Sequence, residues 1–108
     1  MGPNPTNCPV ARTATVIGNK WTTLILRDFL VHEGVRRYQE LVESLQGIAP
    51  NTLSDRLKAL EASGIIERRF YENHPPRAEY LLTERGRDLG RVVRAMRDFG
   101  EKYPEFGT

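Results

Sequence analysis

Apolar residues recur along this chain at helical spacing, broken at regular places by glycine, proline and asparagine. Pro9 suits the first position of a helix with Cys8 as the flanking cap residue, and Val10, Ala14 and Ile17 follow on one face. Gly18-Asn19 ends that helix, and Asn19 caps a second in which Trp21, Leu24, Ile25, Leu26, Phe29 and Leu30 cover most of the circumference. Only Lys20, Thr23 and Arg27 form a polar strip, so this helix belongs at the centre of the domain. After Gly34 and a short Val35-Arg36-Arg37 stretch, Tyr38, Leu41, Val42 and Leu45 define a third, short amphipathic helix. Gly47 turns the chain, Pro50 opens a fourth helix with the stripe Leu53, Leu57 and Leu60, and Gly64 ends it.

Two brief amphipathic helices joined by a glycine-containing turn form a helix-turn-helix pattern. The next segment extends it. Ile65 to Tyr71 and Ala78 to Leu82 are rich in β-branched and aromatic residues, and Glu72-Asn73-His74-Pro75-Pro76-Arg77 lies between them as the expected tip of a hairpin. Thr83 then caps a last helix whose stripe of Leu89, Val92, Val93, Met96 and Phe99 continues to Tyr103 and Phe106. Helical from Glu84 to Tyr103, it would be about 30 Å long, more apolar length than a small domain needs for its own core. Gly86 and Gly90, four apart, are expected to let a partner helix approach closely. The pattern predicts a mainly α fold with a small β-hairpin wing, a winged helix-turn-helix, with residues 1–7 as a lead-in and 8–108 as the single domain.

Composition narrows the function. The chain has 108 residues, 39% hydrophobic and 28% charged, as in a globular protein of one domain. No apolar run approaches the ~20 residues of a membrane span, and the N-terminal segment lacks the charged and apolar regions of a secretory signal, so a cytoplasmic location is expected. The single cysteine, Cys8, rules out an internal disulfide framework and a cysteine-rich zinc site. Sixteen cations against fourteen anions leave a net charge of only +2, so binding to nucleic acid requires cations gathered on one folded face. Thirteen of the sixteen are arginine, whose planar fork suits phosphate and guanine as well as ordinary ion pairs.

Taken in order, Cys8-Pro9-Val10, Ile17-Gly18-Asn19-Lys20-Trp21-Thr22, Arg36-Arg37-Tyr38-Gln39-Glu40-Leu41, Leu53-Ser54-Asp55-Arg56-Leu57, Pro75-Pro76-Arg77-Ala78-Glu79-Tyr80, Leu82-Thr83 and Gly86 closely resemble the HxlR family of bacterial winged-helix transcription regulators. The likeness covers nearly the whole chain after residue 7 and rests on order and spacing together. It implies a homodimer on double-stranded operator DNA, built through the first and last helices. It also implies a signal, since several members respond to oxidants, quinones or aldehydes through a cysteine at the place of Cys8. The family usually has a serine before the proline that opens the fourth helix. Here that place is Ala49, which offers no cap and no hydroxyl.

Setting Leu53, Leu57 and Leu60 against the core points Asn51, Asp55 and Lys58 outward, with Thr52 and Arg56 on the flank nearer the helix start. These residues suit a major groove: Asn and Arg bond bidentately to adenine and guanine, and Thr touches a base or a thymine methyl. Asp55 suits cytosine or the orientation of a neighbouring arginine. Ser54, within the matched motif, joins the set. The competing reading is a solvated face with intrahelical ion pairs. Arg77 in the wing is the candidate for a backbone or minor-groove contact, against a salt bridge to Glu79 or Glu72, and His74 is an exposed tip. Arg36 and Arg37 are candidates for phosphate, as are Lys20 and Arg27, against structural roles for each.

Cys8, at a helix N-terminus with Arg12 one turn on, is placed to favour its thiolate; the alternative is a small buried apolar residue. The chain has no His-Glu-x-x-His, no glycine-rich phosphate loop and only His32 and His74 at unrelated places, so an enzyme is not expected, nor a metal or cofactor. The reading is a dimeric DNA-binding regulator on an inverted-repeat operator, with a small electrophile or oxidant acting at Cys8. A regulator answering a small ligand without redox chemistry and a winged helix that binds protein are the alternatives.

Overall fold

The Asn19 side chain accepts from the backbone N–H groups of Trp21 at 2.9 Å and Thr22 at 3.3 Å, starting the helix around which the domain is assembled. The computed structural model describes residues 7–73 and 76–107. Most of the expected lead-in, and His74 and Pro75 of the expected hairpin tip, lie outside the described residues. The elements are α1 (Pro9–Ile17), α2 (Lys20–Val31), β1 (Val35–Arg36), α3 (Tyr38–Ser44), α4 (Pro50–Ala62), β2 (Ile66–Asn73), β3 (Pro76–Leu82) and α5 (Glu84–Lys102). The fold is thus mainly helical with a small antiparallel sheet.

Helix α2 touches α1, α3, α4 and α5. Its Ile25, Leu26 and Phe29 are fully enclosed and meet Leu41 of α3, Leu53, Leu57 and Leu60 of α4, Ile65, Ile66, Leu82, and Val93 of α5. The expected stripe of α4 is therefore the one that is buried. Two capping expectations also appear as drawn: Cys8 Sγ accepts from Ala11 N at 3.5 Å, and Thr83 Oγ1 accepts from Gly86 N at 3.1 Å. Between α3 and α4 the chain turns through Gly47 at φ 91°, a conformation that costs a residue with a Cβ.

The sheet runs in the order β1-β3-β2, with Val35 opposite Leu81 and Arg36 opposite Tyr80. The two-residue strand β1 was not expected, because its only signature is a partner distant in sequence. The hairpin also extends further than expected. Pairing of β2 with β3 continues through an irregularity between Phe70 and Glu72 out to Asn73 opposite Pro76. Arg77 therefore lies in a strand, opposite Glu72, rather than at a loop tip.

Gly86 and Gly90 are both buried and serve the chain's own packing, contrary to the expected role at a partner helix. A Cβ on Gly86 would run into the Ile65 carbonyl oxygen and lie 2.8 Å from Leu82 Cδ2, and one on Gly90 would lie 2.9 Å from Leu30 Cδ2. The missing side chains let α5 settle on α2 and on the link between α4 and the wing. Past Val93 the helix has no buried residue and leaves the body of the domain, whose extents are 52 × 33 × 24 Å.

Candidate DNA-binding surface

Helix α4 follows α3 across a short turn and begins at Ala49, which makes no side-chain cap bond, with Pro50 in the first turn. The first-turn N–H groups thus face outward without a side-chain acceptor, an arrangement that attracts phosphate. Because Leu53, Leu57 and Leu60 are buried, Asn51, Asp55 and Lys58 are exposed on the opposite face. Thr52, Ser54 and Arg56 are half-buried on the flanks. Three of the expected contact residues therefore share the exposed front of the helix, with Ser54 on one flank and Thr52 and Arg56 on the other.

The two arginines before α3 part company. Arg36 is 8% exposed, and its Nε donates to Asp28 Oδ2 at 2.8 Å on α2. Its Nη2 donates to Ser44 Oγ at 2.6 Å and to the Glu40 carbonyl at 3.2 Å. This corrects the phosphate role expected for Arg36: the guanidinium is spent inside the domain, holding α3 to α2. Arg37 is exposed, and its guanidinium lies 4.8 Å from the centre of the Tyr71 ring in the outer part of β2. Its backbone N–H donates to Glu40 Oε1 at 2.7 Å, fixing the first turn of α3.

In the wing, Arg77 Nε lies 3.4 Å from Glu72 Oε2, with both side chains more than half exposed. The pairing named as an alternative is thus formed. Surface pairs of this kind are worth about 0–1 kcal/mol, so the cation remains available to a phosphate. Arg69 donates to Glu79 Oε1 at 2.6 Å. Arg68, not singled out in the sequence, is exposed on β2 with its guanidinium 5.3 Å from the Phe70 ring centre. Burial lifts the Tyr80 phenol above its ordinary value, against the pull of the neighbouring Arg68 charge. The sequence carries no signal for Arg68: alternation places it on the face of buried Ile66, whereas residues 67–72 are all exposed.

Helix α4 is tied to α5 at its far end. Thr83 Oγ1 donates to the Gly64 carbonyl at 2.5 Å, and Arg85 Nη1 donates to the Ser63 carbonyl at 2.9 Å. Cys8 is half-buried at the start of α1, a helix with no buried residue; Val10 is 78% exposed. Among the described residues no helix is long and apolar enough to cross a membrane.

Comparison with known proteins agrees with this geometry. The family model for the HxlR-like helix-turn-helix matches residues 16–107. An HTH-type transcriptional regulator of Synechocystis is 41% identical over 98 residues, covering 91% of this chain and 71% of its own. The regulator YdeP of Bacillus subtilis is 39% identical over 91% of this chain and 75% of its own. Among solved structures, the redox regulator HypR in its reduced form superimposes with a TM-score of 0.84 at 36% identity, over 91% of this chain and 95% of that one. The reduced form of the transcriptional regulator YodB from B. subtilis gives 0.75 at 31% identity, over 94% and 98%. These relatives are all named as regulators. With the winged helix-turn-helix and the match over most of its length, this chain belongs to the HxlR-like helix-turn-helix family of DNA-binding transcriptional regulators.

Proposed function

We propose that the protein acts as a homodimer on an inverted-repeat operator, with α4 of each protomer in a major groove and the wing against the adjoining backbone. The observation that carries this reading is the front of α4, where Asn51, Asp55 and Lys58 are exposed and Thr52, Ser54 and Arg56 flank them beside an uncapped helix start. Asn51 and Arg56 read base edges, Thr52 and Ser54 bond or touch bases, and Asp55 accepts from cytosine or orients Arg56. Lys58, Arg37 and Arg77 hold phosphates and set the register.

The second copy is supported by α5. Leu89, Val92, Met96, Phe99 and Tyr103 are spaced three and four apart, the seam of a coiled coil. The outer part of that seam is uncovered: Met96 is 46% and Phe99 56% exposed. Run antiparallel, two such helices set Met96 of one against Phe99 of the other and Val92 against Tyr103. A two-fold dimer then presents its α4 helices to half-sites about 34 Å apart, or a multiple of that.

Cys8 is the signal-receiving residue of this reading. Its sulfur caps α1 and is half-buried, and the structural relative HypR is a redox regulator solved in oxidized and reduced forms. With no second cysteine in the chain, oxidation joins Cys8 to a small thiol or to another chain, and an electrophile alkylates it. The test is selection of bound DNA from a random pool with Cys8 reduced, oxidised and replaced by Ser. An inverted repeat bound by the reduced protein and lost on oxidation, with Cys8→Ser indifferent to oxidant, is the expected result. Binding unchanged by oxidation removes the sensor role, and no enrichment of any sequence removes the operator role in favour of a protein-binding winged helix.

A further inference from the structure

The arginines around the wing are held in two chemically different ways. Arg36, Arg69 and Arg77 each have a carboxylate within reach: Asp28 at 2.8 Å, Glu79 at 2.6 Å and Glu72 at 3.4 Å. Arg37 does not. Among the described residues no ion pair engages it, and its guanidinium lies over the Tyr71 ring, 4.8 Å from the centre. Arg68 also lies against a ring, but that ring belongs to Phe70, two residues along its own strand. The Arg37–Tyr71 contact instead joins the residue between β1 and α3 to the outer part of β2. Since the sheet runs β1-β3-β2, the contact reaches across the intervening strand.

Tyr71 owes its place to the irregularity in the hairpin. Phe70 stands opposite Ala78 and Glu72 opposite Arg77, which leaves Tyr71 between them with no residue facing it on β3. An extra residue of this kind breaks the regular alternation of a strand and re-aims a side chain. The ring is 39% exposed, so packing in the core does not account for it. A π face attracts a guanidinium without neutralising it, whereas a carboxylate takes up both its charge and its N–H donors. With five such donors, a guanidinium over a ring keeps several to offer a phosphate.

We infer that Tyr71 is the positioning residue of Arg37: its ring holds the guanidinium, still fully charged, where a DNA phosphate meets it. A long side chain ordered only on binding gives up freedom that weakens the complex, and one already seated on a ring gives up less. The role rests on the phosphate contact proposed above for Arg37.

The probe is a DNA duplex of ~40 base pairs of mixed sequence, since a phosphate contact is made on any sequence. Tyr71→Leu is expected to weaken binding ~3–10-fold for each protomer engaged. The slope of log K on log salt is expected to stay at the wild-type value, because the guanidinium still reaches its phosphate. Tyr71→Phe keeps the ring and is expected to bind as wild type does. In an Arg37→Ala background, Tyr71→Leu is expected to cost nothing more. Without DNA, the ring current is expected to shift the Arg37 Nε–H resonance upfield in wild type and Tyr71→Phe but not in Tyr71→Leu. A loss in Tyr71→Phe equal to that in Tyr71→Leu overturns the inference, because the hydroxyl then meets DNA itself. So does an equal cost of Tyr71→Leu with and without Arg37, or an unshifted Nε–H in wild type. If Arg37→Ala binds as wild type with the same salt slope, the phosphate role of Arg37 falls and the role of Tyr71 with it. If Arg37→Ala weakens binding and Tyr71→Leu does not, the phosphate role stands and only the role of Tyr71 falls.

Discussion

Arg36 of β1 and Asp28 of α2 form a buried ion pair, Nε to Oδ2 at 2.8 Å, in which the aspartate is 5% and the arginine 8% exposed. The carboxylate is also near His32 Nδ1, at 3.8 Å, and the guanidinium reaches Ser44 and the Glu40 carbonyl. The pair thus fastens the first helix of the helix-turn-helix to the central helix of the domain.

Removing one partner of such a pair strands the other charge in the interior. Arg36→Ala or Asp28→Ala is expected to lower stability by about 3 kcal/mol in urea unfolding. Replacing both with Met and Leu is expected to recover most of that loss. DNA affinity measured well below the unfolding midpoint should change little, which separates Arg36 from its neighbour Arg37.

Arg37 and Arg56 are expected to fail differently. Arg37→Ala weakens binding to all sequences alike and lowers the dependence of log K on log salt by about 1, the mark of one lost phosphate contact. Arg56→Ala relaxes preference at a single base pair, at a cost of about 1–3 kcal/mol against the best site. Quantitative binding to a set of single-base operator variants at several salt concentrations distinguishes the two.

Ala49 stands where α4 lacks a side-chain cap. Ala49→Ser is expected to stabilise the domain by about 1 kcal/mol, read as a higher midpoint in thermal or urea unfolding. An unchanged midpoint would mean that the start of α4 is already satisfied by solvent.

The glycines of α5 make a prediction of opposite signs. Gly86→Ala drives a methyl group into the Ile65 carbonyl, which belongs to backbone and cannot swing aside, and is expected to destabilise by about 2 kcal/mol. Gly100 has nothing within 4 Å of its would-be Cβ, so Gly100→Ala is expected to stabilise by about 0.8 kcal/mol through helix propensity alone. Unfolding curves of the two variants beside wild type settle the contrast.

Helix, cap and stripe were readable in the sequence because their causes are local. Asn19, Thr83 and Cys8 cap the helices they precede, and Leu53, Leu57 and Leu60 repeat within a few turns. What was hidden depends on residues far apart in the chain. Nothing near Val35-Arg36 announces a strand, since its partners are Leu81 and Tyr80. Arg36 reads as one more surface cation until Asp28 is brought beneath it. Gly86 and Gly90 announce a close approach without saying to what, and the answer, Ile65 and Leu30, is in the same chain. The α4 front was recoverable because one buried stripe fixes the opposite face of a helix, whereas Arg68 required the strand register.

The uncovered end of α5 carries an aromatic cluster in which the Phe99 ring is 5.1 Å from Tyr103 and 5.7 Å from Phe106. Phe99→Asp is expected to yield a monomer in sedimentation equilibrium with its helical content intact. Its operator affinity is expected to fall by ~10²–10⁴, the loss that follows when two linked half-site contacts become separate events.

Helix α1 has nine residues and buries none, and of its apolar side chains Val16 and Ile17 rest on the core. So short a segment does not stay wound in water by itself. The capping bond to the Cys8 sulfur exists only while that turn is wound, so the thiol's chemistry tracks the winding of the helix it starts. In the sensor role proposed for Cys8, any companion that shelters α1 retunes how fast the sulfur reacts, and a scarce regulator and an abundant one meet the same oxidant with different thresholds.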